Sequence, residues 1–307
     1  MRLRPERLAV GDTVGIIAPA SPPNRENLQR ALAFLEELGL KYKMGKHVDK
    51  VNGHLAGTDA QRAEDFHAMF EDDSIKGIIC AGGGYGTARF AQSIDYQLVK
   101  EHPKIFWGYS DITYLHSALG KYSDIVTFHG PMLASDVGKD SFQDLSKKMF
   151  QQLFMPMELH YTEAISPLTT LSEGSARGEL VGGNLSLITS AIGTKYELDM
   201  KGKLLLIEDV GEAPYRIDGM LNQLKLAGKL DEVQGVVVGD FSKVDREKKD
   251  NSQTIDEVFD HYLGNLNKPV VKGFKIGHCQ PHFAVPLGVE AKLDATAKTL
   301  TVLPGVQ

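Results

Sequence analysis

Apolar and polar positions along the chain repeat on two periods, one of strands and one of helices. Residues 13–18 form a short apolar run stopped by Pro19-Ala20-Ser21-Pro22-Pro23, which predicts a buried strand ending in a loop. Over residues 24–39, Leu28, Leu32, Leu35 and Leu38 recur at helical spacing, with Gly39 as the stop. Thr58-Asp59-Ala60-Gln61 is a capping box that opens a second helix to about Phe70, and residues 75–81 are the next apolar strand. That strand runs into Gly82-Gly83-Gly84-Tyr85-Gly86-Thr87, and residues 88–100 follow as a helix interrupted near Ser93-Ile94-Asp95. Another apolar strand, Lys104-Ile105-Phe106-Trp107-Gly108-Tyr109, leads straight into a helix with Ser110 at the bend. Residues 125–128 read as a strand and 140–154 as a helix. Such alternation predicts a parallel sheet covered by helices on both faces.

The second half begins with a strand over 176–181 and a turn, Gly182-Gly183-Asn184, that feeds a helix. A strand over 203–207 stops at Glu208-Asp209. After it come a helix over 215–227, a strand over 235–239, a helix over 254–263, a strand over 270–274 and a closing hairpin with arms 289–293 and 299–303. Periodicity fades between Met155 and Ser175, where Pro156, Pro167 and a Thr/Ser/Gly mixture appear. The expected organisation is therefore α/β, with a Rossmann-like N-terminal domain over 1–160, a linker over 161–175 and a mixed α/β C-terminal domain over 176–307.

Composition narrows the function classes. A chain of 307 residues exceeds what one core usually serves, which agrees with two domains. The formal net charge of -6, with lysines and arginines dispersed, gives no electrostatic footprint for nucleic acid or an anionic membrane surface. The charged start, Met1 to Arg7, is not followed by an apolar segment, and no apolar run is long enough to span a bilayer. Two cysteines, Cys80 and Cys279, are too few for a disulfide framework, and with no export signal a reduced cytoplasmic setting is expected, while the dispersed charge points to a small or peptidic partner.

Candidate chemistry gathers at strand ends. A serine at a strand-to-helix bend exposes its hydroxyl beside the free N–H groups of a helix start, as a nucleophile attacking a carbonyl requires. Ser110-Asp111 taken alone reads more commonly as a helix cap. The glycine run lacks the third glycine of a dinucleotide fingerprint, having Thr87 where it belongs, and lacks the lysine of a phosphate loop. An ordinary tight turn or a set of backbone donors for an oxyanion remain. Among the ten histidines, His129 and His278 each follow a predicted strand. His116 lies roughly 9 Å along its helix from Ser110 and so is poorly placed to reach the turn. Glu208 emerges at the end of an apolar strand, where it would either orient an imidazole or pair with a residue such as Arg216. His278, Cys279 and His282 are close together but lack zinc-ligand spacing, so neither a metal nor another cofactor is expected.

Taken in order, the motifs Gly11-Asp12 through Pro22, Cys80 to Gly86, Gly108-Tyr109-Ser110-Asp111, Phe128-His129-Gly130-Pro131, Gly182-Gly183-Asn184-Leu185-Ser186, Leu206-Ile207-Glu208-Asp209, Gly277-His278 and Pro286-Leu287-Gly288 resemble the LD-carboxypeptidase family of serine peptidases, which also contains the microcin C immunity peptidases. The resemblance covers nearly the whole chain. It implies a Ser-Glu-His triad at Ser110, Glu208 and His278, shared between the two domains. It also implies an oxyanion hole of backbone N–H groups at Gly84 or Gly83 and at Asp111. The implied activity is metal-independent hydrolysis of the bond to a terminal D-amino acid in murein tetrapeptide, or of an aminoacyl-nucleotide amide. A homodimer is what the family suggests. The chain departs from the family's Arg-Gly-Gly-Tyr-Gly by placing Gly82 at the arginine position. A binding protein that has kept the fold without catalysis is the third reading, and the intact Ser110, Glu208 and His278 argue against it.

Overall fold

The computed structural model describes residues 2–244 and 253–307. Its strands, in chain order, are β1 (Thr13–Ile17), β2 (Lys41–Met44), β3 (Ile75–Cys80), β4 (Ile105–Gly108), β5 (Thr127–His129), β6 (Leu159–Tyr161), β7 (Thr169–Ser172), β8 (Ser175–Asn184), β9 (Leu204–Val210), β10 (Gly235–Ser242), β11 (Val270–Lys272), β12 (Val285–Leu287), β13 (Glu290–Asp294) and β14 (Thr299–Val302). They form two sheets in two compact units. One unit takes the chain up to Met157 together with Gln280–Gly288 and Pro304–Gln307, and the other takes Glu158–Cys279 with Val289–Leu303.

The first unit has strand order β12-β5-β4-β3-β1-β2, with β1 through β5 parallel and β12 antiparallel on the β5 edge. Strands β1, β3 and β4 are almost wholly buried, because a parallel strand covered by helices on both faces has no solvent side. β2 is a polar edge strand, Lys-Tyr-Lys-Met, and carries no apolar run that would announce it. Helix Arg25–Glu37 starts at Asn24, whose side chain accepts the Asn27 N–H, and buries Leu28, Ala31, Leu32 and Leu35. The capping box at Thr58 and Gln61 opens helix Asp59–Glu71, whose Phe66 and Phe70 pack against Phe106 of β4. Residues 140–154, expected as one helix, instead form helix Asp144–Lys148 and a 3-10 segment, Met149–Leu153.

The second unit is built on four parallel strands, β8, β9, β10 and β11. Antiparallel strands β13, β14 and β6 extend the sheet beyond β8, and β7 closes the other edge beside β11. Strands β6 and β7 both lie in the stretch where sequence periodicity fades. Each is a short edge strand of three or four residues. Helices Pro214–Leu226 and Ile255–Leu263 cover a core that includes Leu205, Ile207, Val236 and Val238. No helix among the described residues is long and apolar enough to cross a membrane.

One core group makes the first unit sensitive to acid. His116, on helix Thr113–Tyr122, is buried and places Nε2 2.8 Å from the carbonyl oxygen of Gly108, while Nδ1 has no hydrogen-bond partner among the described residues. The side chains of a helix lean toward its N-terminus, so His116 reaches back to the end of the preceding strand, at Gly108. Burial disfavours the imidazolium and lowers the pKa from 6.5 to about 3. Between those values the unfolded chain binds the proton and the folded chain does not, so stability falls as pH is lowered through that window. His116→Gln keeps a donor for Gly108 and removes the titration. Urea unfolding at pH 7 and pH 5 should show the variant losing about 2 kcal/mol less than the parent on acidification.

Candidate active site

The order β2-β1-β3-β4-β5 reverses direction between β1 and β3, and ligands of open α/β sheets bind at the carboxyl edge of that switch point. The loops leaving β1 and β3 are joined there. Ser21 N–H donates to the Gly83 carbonyl at 3.1 Å, and Tyr85 N–H donates to Ser21 Oγ at 3.2 Å. Gly84 has φ +110°, and a Cβ on it would lie 2.4 Å from Ser21 Oγ, so only glycine fits. Arg62, 2% exposed, donates to the Pro19 carbonyl at 2.8 Å and to the Gly86 carbonyl at 2.7 Å, and pairs with Asp59. It fixes both loops from the adjacent helix. No sequence signal announces this, because Arg62 reads as a surface residue of an amphipathic helix.

Ser110 follows β4 at the next strand over. The chain leaves Tyr109 extended, at φ -153°, and enters the left-handed region at Ser110, φ +64°, before the 3-10 turn Ser110–Ile112 and helix Thr113–Tyr122. The capping positions of these two segments are Tyr109, which is extended, and Ile112, which is already helical at φ -64°, and neither makes a side-chain capping bond. Ser110 thus stands inside the turn, at neither capping position. A non-glycine residue in this conformation costs about 1–3 kcal/mol and marks a constrained turn. The glycine turn abuts it: a Cβ on Gly83 would lie 3.1 Å from Ser110 Cβ and 3.3 Å from its Oγ. Asp111, 2% exposed, points inward. Its Oδ2 accepts the Thr87 N–H at 2.9 Å, and Thr87 Oγ1 donates to its carbonyl at 2.7 Å. Burial raises the Asp111 pKa, against the lowering effect of the Thr87 bonds.

Glu208 and His278 meet within the second unit. Glu208 is fully buried near the end of β9, and its Oε2 lies 2.7 Å from His278 Nδ1. Two glycines make room for it. A Cβ on Gly277, φ +123°, would lie 2.6 Å from Glu208 Oε2, and one on Gly239 would lie 3.2 Å from Glu208 Cβ. Ser242 Oγ donates to the His278 carbonyl at 3.2 Å. A carboxylate on Nδ1 selects the tautomer with the proton there, leaving Nε2 as the basic nitrogen. Arg216 pairs with Glu212, so the alternative partner for Glu208 is taken elsewhere. Asp209 plays a separate part. Its carboxylate accepts from Ser186 N–H at 2.9 Å, Ser186 Oγ at 2.8 Å and Asn184 Nδ2 at 3.2 Å, closing the turn after β8.

The remaining histidines of interest lie in the first unit. His129 and His282 are both fully buried, with ring centres 5.4 Å apart and 5.6 and 4.7 Å from the Tyr109 ring. His129 is therefore packed beneath the Ser110 bend rather than presented as a base. Among the described residues, no group of three or more His, Cys, Asp or Glu is arranged to hold a metal ion.

Comparison with known proteins agrees with this arrangement of motifs. The family model for the LD-carboxypeptidase N-terminal domain matches residues 14–130, and that for the C-terminal domain matches residues 177–293. A Bacillus subtilis (strain 168) protein described as a probable murein peptide carboxypeptidase is 51% identical over 306 residues, covering 100% of this chain and 96% of that one. Among solved structures, a muramoyltetrapeptide carboxypeptidase from Oxalobacter formigenes is 28% identical with a TM-score of 0.84, covering 94% of this chain and 97% of its own. The microcin C7 self-immunity protein MccF in complex with aspartyl sulfamoyl adenosine is 25% identical with a TM-score of 0.90, covering 98% of each chain. With both domain models matched and a relative this similar over its full length, the chain belongs to the LD-carboxypeptidase family of peptidases.

Proposed function

We propose that this protein is a metal-independent serine carboxypeptidase that releases the terminal D-amino acid of a murein tetrapeptide. The observation that carries the chemistry is the left-handed Ser110 at the carboxyl end of β4, set against the Gly83 turn. The murein substrate is supported by the 51% identical relative. Ser110 Oγ attacks the scissile carbonyl carbon and passes its proton to His278 Nε2. Glu208, paired to Nδ1, orients the ring and stabilises the imidazolium as it forms. The carbonyl oxygen, now an oxyanion, takes backbone N–H bonds from Gly84 or Gly83 and from Asp111. When the tetrahedral intermediate collapses, the C–N bond breaks and His278 returns the proton to the leaving amine. Water then attacks the acyl carbon and gives its proton to His278; as the second tetrahedral intermediate collapses the carbon–Oγ bond breaks, and His278 returns that proton to Ser110 Oγ.

The MccF complex supports a second substrate reading, an aminoacyl-nucleotide amide cleaved by the same residues. D-alanine release from a tetrapeptide, set against hydrolysis of an aminoacyl-sulfamoyl nucleotide or protection of cells from such an antibiotic, separates the two.

Ser110→Ala should lower kcat for D-alanine release by at least about a thousandfold, and EDTA should leave the parent rate unchanged. Full activity in that variant would sink the assignment. Glu208→Gln preserves an acceptor for Nδ1 but removes the charge, and steady-state assays should show kcat down by about 100- to 10,000-fold. Gly83→Ala places a methyl against Ser110 Cβ, so kcat should fall at least tenfold, by the rough scale of a displaced nucleophile, in a protein that still melts near the parent temperature.

A further inference from the structure

One buried carboxylate joins the two segments that meet at Ser110. Asp136 is 8% exposed and lies in a single π-turn, Leu133–Val137, a rare conformation that gathers at functional sites. Its Oδ1 accepts the hydroxyl of Tyr109 at 3.1 Å. Its Oδ2 accepts the N–H of Met132 at 2.9 Å. Tyr109 is the residue directly before Ser110 and is 4% exposed, its ring held edge-on by His282 and His129. Met132 is 1% exposed, and its Cε would lie 3.1 Å from a Cβ on Gly83, which would also touch Ser110 Cβ and Oγ. The π-turn is itself anchored to the end of β3: Ala134 N–H donates to the Ala81 carbonyl at 2.7 Å, and Asn27 Nδ2 donates to the Ala134 carbonyl at 3.2 Å.

We propose that Asp136, acting through Tyr109 and Met132, is a positioning residue that sets Ser110 in register with the Gly83 turn. The proposal rests on the reading of Ser110 as nucleophile. A carboxylate suits this role because both of its oxygens accept, so Tyr109 and Met132 are held at the same time. An asparagine keeps an oxygen for the Met132 N–H but meets Tyr109 only through a neutral, weaker bond in which its amide donates to the phenol oxygen, so the strut is loosened. Neither substitution alters the His278–Glu208 pair that serves as base in the proposed mechanism, so the strut should set the placement of the nucleophile without changing the ionisation of the base.

The test uses the full chain with Tyr109→Phe, Asp136→Asn and the double variant. Each is assayed for D-alanine release, for the rate at which a small fluorophosphonate labels Ser110, and for melting temperature. The expected result is a fall in kcat of about 10- to 100-fold in each single variant, with KM within about threefold and an unchanged pH–rate profile. Labelling should slow in parallel, and the double variant should be no slower than the worse single, because both substitutions cut the same strut. Tyr109→Phe removes only an oxygen and decides the matter if Asp136→Asn does not fold. Parent-level kcat and labelling in folded Tyr109→Phe would overturn the proposal, as would losses that multiply in the double variant or that vanish when corrected for the folded fraction. If the parent labels at Ser110 yet releases no D-alanine, the substrate reading fails and the labelling rates alone decide the role of Asp136. A parent that does neither overturns both.

Discussion

The first unit depends on one backbone constraint, a serine held in the left-handed region where a parallel strand gives way to a helix. A parallel strand buried on both faces cannot end in a loose loop without stranding polar backbone groups, so the turn must be tight and its neighbours must close around it. The sequence around Ser110 supplies those neighbours one by one. A Cβ on Gly108 would lie 3.0 Å from Ile112 Cγ1 and 3.1 Å from Cys80 Cβ, so glycine lets β4 pass close to β3. His116 meets the Gly108 carbonyl, Asp136 meets Tyr109, and Thr87 meets both the carbonyl and the carboxylate of Asp111. Each bond fixes a different residue of the turn. Together they over-determine a conformation that no single contact would hold against its local cost.

Three buried acids show how similar burial yields different work. Asp111 and Asp209 are both nearly inaccessible, and burial pushes both pKa values up while hydrogen bonds from neighbouring turns oppose it. Their partners are backbone N–H groups and hydroxyls or amides, so each closes a loop. Glu208 is buried as deeply, but at 2.7 Å it meets an imidazole, a group able to share or accept a proton. Breaking a buried pair leaves an uncompensated charge and is strongly destabilising, which argues for keeping carboxylate and histidine together whatever else varies around them. Gly239 and Gly277 are the steric condition for that pairing, since a methyl at either position would press on the glutamate.

Much of this is legible in the order of residues alone. The largely buried strands β1, β3, β4, β9 and β10 each carry an apolar run, and the Thr58 capping box names its helix. Edge strands are not legible: β2 alternates lysines with a tyrosine and a methionine, β12 contains Pro286, and β6 and β7 are too short to show a period. The return of Gln280–Gly288 to the first unit is a tertiary event, with β12 pairing on β5, and local sequence carries no sign of it. The positions of Ser110, Gly83 and Glu208 at strand ends can be read. That Arg62 and Asp136 tie loops and turns of the first unit together cannot, because long-range hydrogen bonds from buried charged groups leave no periodic mark.

The distinction between cap and nucleophile also bears on substrate. Had Ser110 been an N-cap, its hydroxyl would have been committed to the first helical N–H groups, and its backbone would have been extended. The left-handed backbone takes Ser110 off the capping positions, which fall to Tyr109 and Ile112. On the proposed mechanism the groups around Ser110 then act only on the carbonyl being attacked: hydroxyl, imidazole, and N–H donors for the oxyanion. Nothing in that set depends on what departs with the amine. A murein peptide and an aminoacyl nucleotide both present an acyl carbon and an amide nitrogen, so on that mechanism one elbow would suit either substrate, and the choice between them would fall to side chains that contact the remainder of the substrate rather than to the catalytic geometry.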